Sequence, residues 1–94
     1  MSEVTDIIIQ QIRYADKWAF GAWGSKNFFA DKNKLQFRVS CPKLKGIVEI
    51  EYREVPDLYW LSFWKKKKGM FEKIKEFDNI YCDQLVSVID GVVG

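Results

Sequence analysis

The sequence predicts an α+β fold: an antiparallel meander of four to five strands, with an N-terminal and a C-terminal helix packed on one face. Three observations carry that prediction. Apolar residues recur at helical spacing near both ends of the chain. Between them, apolar and polar residues alternate through several short runs broken by Gly and Pro. The length of 94 residues accommodates one domain, residues 1–94, with no linker or internal repeat.

Residues 3–15 place Val4, Ile8, Ile12 and Ala15 one helical turn apart, with Ile7 beside them, while Glu3, Gln10 and Arg13 point elsewhere. Ser2 is positioned to cap this helix, because its hydroxyl can accept from a free amide of the first turn. Trp18 to Trp23 reads as a first strand, with Gly21 and Gly24 marking a bend before a turn at Ser25-Lys26-Asn27. Leu35, Phe37, Val39 and Cys41 alternate with Lys34, Gln36, Arg38 and Ser40 in a half-buried strand, and Pro42 and Gly46 bracket the turn after it. Val48, Ile50 and Tyr52 alternate with Glu49, Glu51 and Arg53 in the next strand. Pro56-Asp57 turns the chain into another, rich in aromatics. Residues 70–77 fit either a fifth strand or a helical turn. Asp78 can cap a closing helix in which Tyr81, Leu85, Val88, Ile89 and Val92 form one apolar stripe, with Gly91 and Gly94 at its exit.

Matching these faces divides the sheet. If Leu35, Phe37, Val39, Val48, Ile50 and Tyr52 lie under the helices, the aromatic strand adds Tyr59, Leu61 and Phe63 to the same core. Trp60, Ser62 and Trp64 then point the other way, with Lys34, Arg38, Arg53, Glu49 and Glu51. The chain holds 4 Trp, 4 Tyr and 7 Phe, more large rings than a two-layer domain of this size easily hides, so at least one Trp is expected to stay partly exposed.

Composition narrows the activities. The net charge of +2 excludes coating of nucleic acid by bulk charge but permits a local basic patch. There is no histidine, which removes the usual general base near neutral pH and the commonest transition-metal ligand. Cys41 and Cys82 have no local base, and both read as buried, free thiols of a reducing compartment. Glu49 and Glu51 read as a solvated polar face, and Gly21 to Lys26 lacks the spacing of a phosphate loop. The expectation is a protein that is not an enzyme and uses no cofactor or metal. The apolar run Ile7-Ile8-Ile9 is far below the roughly 18 residues of a membrane span, which points to a cytoplasmic protein without a membrane partner.

The candidate partner-binding residues are Trp60, Trp64, Lys65, Lys66, Lys67, Lys68, Arg38 and Trp23. Tryptophan beside arginine is the composition of a protein-interface hot spot. Aromatics among cations also suit single-stranded RNA or DNA, because bases stack on rings while cations track phosphates. Glu49 and Glu51, in the middle of the face, oppose that second reading. A plain alternative is that a loop, a helix or a second copy of the chain covers Trp60 and Trp64, which allows a homodimer. The lysine run equally makes a solvated turn, since cationic edges discourage strand-to-strand aggregation.

Several segments together carry a family likeness: Lys17-Trp18-Ala19-Phe20-Gly21-Ala22-Trp23-Gly24-Ser25-Lys26-Asn27, Leu35-Gln36-Phe37-Arg38-Val39, Asp57-Leu58-Tyr59-Trp60-Leu61-Ser62-Phe63 and Ile80-Tyr81-Cys82-Asp83-Gln84-Leu85. In that order the chain resembles small phage and prophage accessory proteins with no assigned activity. The resemblance spans most of the sequence, but the Trp60/Trp64 pair and the lysine run depart from the pattern. It implies origin rather than mechanism: a phage-encoded protein in the cytoplasm of a bacterial host. Its expected partner is then a host defence protein or ribonucleoprotein, such as a CRISPR–Cas effector. No site residue carries over.

Overall fold

The computed structural model describes residues 3–41, 43–53 and 58–93, the side chains of residues 3 and 4 aside. The N-terminal helix α1 (Glu3–Ala15) leads into a single helical turn, α2 (Ala19–Ala22). Five strands follow: β1 (Lys26–Ala30), β2 (Lys34–Ser40), β3 (Lys45–Arg53), β4 (Leu58–Lys67) and β5 (Met70–Ile80). A 3₁₀ turn (Cys82–Gln84) then opens the closing helix α3 (Leu85–Val93). The strands form one antiparallel sheet in chain order, β1 to β5, and the expected α+β meander is therefore what the chain adopts.

Alternation decides the layers. Leu35, Phe37 and Val39 of β2, Val48 and Ile50 of β3, and Tyr59, Leu61 and Phe63 of β4 are buried on one face, with Tyr52 packed against their edge. Ile8 and Ile12 of α1 and Leu85, Ile89 and Val93 of α3 close over that face. Ala15, expected on the buried stripe of α1, is exposed. On α3 the buried positions step by four from Leu85, leaving Val88 and Val92 half-buried beside them. The Tyr59 hydroxyl donates to Gln11 Oε1 at 2.6 Å and ties α1 to β4.

The segment Trp18–Trp23 is not a strand. Ala19 and Trp23, both buried, stand four residues apart, the spacing of a helical turn. The Trp18 amide donates to Asp16 Oδ1 at 3.0 Å just before that turn. The first strand lies later, at Lys26–Ala30, overlapping the expected Ser25-Lys26-Asn27 turn. It is an edge strand bulged between Lys26 and Phe29, with Asn27 at φ 55°.

Residues 70–77 belong to a strand, the eleven-residue β5. It runs through Asp78, so Asp78 does not cap the closing helix; instead the Tyr81 amide donates to Gln84 Oε1 at 3.1 Å at the start of the 3₁₀ turn. Tyr81 itself is exposed. Reciprocal backbone bonds between Cys41 and Leu44 close the β2–β3 connection. Gly46 lies within β3 rather than in that turn. The expected Ser2 cap, the Pro42 and Pro56-Asp57 turn positions and the Gly94 exit lie outside the described residues.

Two glycines are required by geometry. A β-carbon on Gly46 would stand 1.8 Å from the Trp64 carbonyl oxygen, so β3 and β4 can pair here only without a side chain. Between Lys67 and Met70, Lys68 and Gly69 take φ 50° and 78°, the left-handed pair of a two-residue hairpin turn in which Asn-Gly is favoured. Gly46→Ala should therefore lower stability by roughly 2–4 kcal/mol, read as a fall of about 10–20 °C in the thermal midpoint. Lys68→Asn should raise the midpoint by about 2–6 °C, because asparagine tolerates the left-handed conformation that lysine resists.

Candidate functional site

With α1, α2 and α3 on one side of the sheet, the opposite face carries the polar half of each alternation. Strand β4 projects Trp60, Ser62 and Trp64 there, and the register sets Glu51 opposite Trp60, Glu49 opposite Ser62 and Ile47 opposite Trp64. Strand β5 adds Glu76 opposite Ser62 and Lys73 opposite Trp64. Apart from Ile47, these side chains line a shallow depression of about 270 Å³ together with Lys34 and Arg53.

Both tryptophans are half-buried, and the protein's own cations lie over their rings. The Arg53 guanidinium is 3.9 Å from the Trp60 ring centre, and Lys73 Nζ is 5.2 Å from that of Trp64. Each such contact contributes about 0.5–1 kcal/mol at an exposed site. The carboxylates are engaged as well. Lys34 Nζ lies 3.4 Å from Glu51 and 3.8 Å from Glu49, Arg53 Nε donates to Glu51 at 2.8 Å, and Lys73 donates to Glu76 at 2.6 Å. Single surface pairs contribute little, but this is a network that holds four strands' side chains in one arrangement.

The network moves the carboxyl groups. Burial pulls Glu51 upward, yet the hydrogen bonds from Arg53 and Lys34 outweigh it and leave Glu51 below its ordinary value. Glu76 is lowered by its hydrogen bond from Lys73, against desolvation, with further help from Lys73's charge, the Trp60 ring N–H and Arg53.

The remaining predicted site residues separate. Trp23 is not on this face: it is 1% exposed, stacks on Phe37 with ring centres 6.4 Å apart, and donates its ring N–H to Asp90 of α3 at 3.2 Å. The same apolar, ring-filled position that suggested a binding residue is what the core required. Arg38 does lie on the outer face, but at its far end, over the Phe71 ring at 5.4 Å. The lysine run is divided by strand alternation. Lys66 shares the outer face with Arg38 and Phe71, Lys65 and Lys67 point to the other side, and Lys68 forms the turn. The tryptophan left most exposed is Trp18, at 72%, with Lys17 beside its ring.

Cys41 is buried as expected. Its thiol donates to the Trp23 carbonyl at 3.2 Å, and burial, aided by the negative charge of Asp90, pushes its pKa up. A thiol so held stays protonated and is a poor nucleophile. Cys82 departs from expectation and is exposed, on the 3₁₀ turn rather than on the buried side of α3. Among the described residues no cluster of His, Cys, Asp and Glu has the arrangement to hold a metal ion, and no helix is long and apolar enough to cross a membrane.

Lys73 and Glu76 escaped the sequence reading because residues 70–77 had no assigned face, and β5 is bulged twice against β4, near its C-terminal end and in mid-strand. Comparison with protein-family models, with curated proteins and with solved structures returned no match.

The lowered Glu51 and Glu76 have a stability consequence. Both bind protons less readily folded than unfolded, so their contribution is full above the ordinary value of 4.5 and is lost as pH falls through the lower folded values. Denaturant midpoints measured across that acid range should fall, and the Glu51→Gln, Glu76→Gln double variant should show a shallower decline.

Proposed function

We propose that this chain is a non-enzymatic binding protein that docks on a protein partner through the helix-free face of its sheet. The observation that carries the reading is the pair Trp60 and Trp64, half-exposed in a charge-neutralised depression, with Arg53 and Lys73 laid over the rings. Aromatic side chains framed by arginine and rimmed by polar, paired residues are the make-up of an interface centre. The ion pairs satisfy Glu49, Glu51 and Glu76 within the protein, so a partner meets a nearly balanced surface. A polyanion gains little there, and a base could stack on Trp60 or Trp64 only after displacing a cation already in place. The resemblance to small phage and prophage accessory proteins suggests the class of partner: a component of a bacterial defence complex that the protein would occupy and inhibit.

The test is a tagged pull-down from bacterial host lysate, with and without nuclease, run in parallel for the parent chain and for Trp60→Ala with Trp64→Ala. A stoichiometric protein that survives nuclease and is lost at least tenfold in the folded double variant is the expected result. Retention of the same protein by that variant, or sedimentation showing that the faces pair in a homodimer, would overturn the reading.

A further inference from the structure

At the end of the sheet marked by the β2–β3 and β4–β5 turns, charge is not balanced. Lys26 of β1 pairs in register with Arg38 of β2, and Gly46 with Lys65, which brings Lys45 and Lys66 side by side. Like charges placed directly opposite each other across a strand pair are destabilising. Yet Lys26, Arg38, Lys45 and Lys66 together line one depression of about 170 Å³, floored by Gly46 and Phe71. No carboxylate lines it, and none of the four cations has an ion pair among the described residues. Lys65, Lys67 and Lys68 continue the charge around the hairpin.

A second depression, of about 350 Å³, joins the first at Arg38. It is formed by Phe29, Asn27, Gln36 and Ile47. Phe29 is 64% exposed on an edge strand and, unlike Trp60 and Trp64, has neither a ring nor a cation over it among the described residues. The bulge at Asn27 turns this edge out of regular pairing, so two side-chain amides flank a free ring.

We propose that these joined depressions bind single-stranded nucleic acid. Successive backbone phosphates run past Lys26, Arg38, Lys45 and Lys66, and an unstacked base lies on Phe29 within reach of the Asn27 and Gln36 amides. Several cations ordered along a rim fit a polymer of phosphates, which relieves their mutual repulsion. The free ring beside them supplies sequence-tolerant stacking, and the amides supply donors and acceptors for a base edge. This site is separate from the Trp60/Trp64 face and does not depend on the protein-docking reading; it would let one small domain engage both parts of a nucleoprotein.

The experiment is fluorescence anisotropy with labelled single-stranded RNA and DNA of about twelve nucleotides, titrated with the purified chain over a salt series. Binding at low salt with a log–log slope of about −2 to −3 is expected from three to four phosphate contacts on a single strand. Lys26→Ala with Lys45→Ala should weaken binding at least tenfold and make the slope shallower by roughly 1.4. Phe29→Ala should weaken it about fivefold or more with the slope unchanged. All three side chains are exposed, and circular dichroism checks that each variant is folded. Absence of binding at low salt would overturn the proposal. So would a silent Phe29→Ala variant combined with equal competition by polyglutamate, which would assign the basic end to an acidic protein surface instead.

Discussion

Gly46 leaves no space for a side chain against the Trp64 carbonyl, and that close approach locks β3 to β4 in a single register. The rest of the molecule follows from it. With Val48 fixed opposite Phe63 and Ile50 opposite Leu61, the buried half of both strands lies beneath α1 and α3. The period of two then leaves no choice for the other half: Trp60 and Trp64 must face away from the helices, beside Glu51 and Ile47. A slip of one residue would expose Leu61 and Phe63 and bury the ion-pair network without water. The core and the outer face are thus two consequences of one pairing, and Gly46 sits where an error would propagate to both.

The two ends of the outer face are built on opposite electrostatic plans. Around Trp60 the carboxylates of Glu49, Glu51 and Glu76 each have a cation within 4 Å, and even the ring faces are occupied by Arg53 and Lys73. The charges there are already paired within the protein, so a docking partner need not supply counter-charges for them. Around Lys26 and Lys45 the cations accumulate without carboxylates, and the ring of Phe29 is bare. That end gains most from an anionic ligand, because binding relieves repulsion that the fold itself leaves uncorrected. A net charge of only +2 hides this division, because Glu49, Glu51 and Glu76 lie in the network and none of them lines the basic depression.

The architecture was legible because β2, β3 and β4 each bury one face cleanly, and alternation reports burial directly. The same logic correctly set Trp60, Ser62 and Trp64 apart from Tyr59, Leu61 and Phe63. It failed at the two edges, where strands have only one neighbour and their patterns are weaker. In β5 a bulge between the partners of Phe63 and Trp64 breaks the alternation of Phe71, Lys73, Lys75 and Phe77, so neither period stands out. In β1 the two phenylalanines are adjacent, one on each face, and Lys26-Asn27 resembles a turn because Asn27 is in fact left-handed. Trp23 misled for a different reason. Its neighbours carry strand-like rings, but the buried pair Ala19 and Trp23 has helical spacing, and only tertiary packing against Phe37 and Asp90 selects between them.

Those same edges hold the features that folding alone does not explain. A central strand is constrained on both sides and both faces, and its residues are accounted for by packing and pairing. An edge strand is where bare hydrogen-bonding groups and exposed rings invite aggregation, and proteins usually protect it with charge. Lysine on β1 and on the β4–β5 hairpin is consistent with that protection. Phe29, however, works against it: an exposed, uncapped phenylalanine on a short edge strand raises the aggregation hazard that Lys26 lowers. Lys26 would guard the edge equally well without cationic neighbours, and grouping it with Arg38, Lys45 and Lys66 of the inner strands adds repulsion without adding edge protection. A bare ring beside clustered cations is costly to an isolated domain and useful to one that holds an anionic, aromatic ligand there.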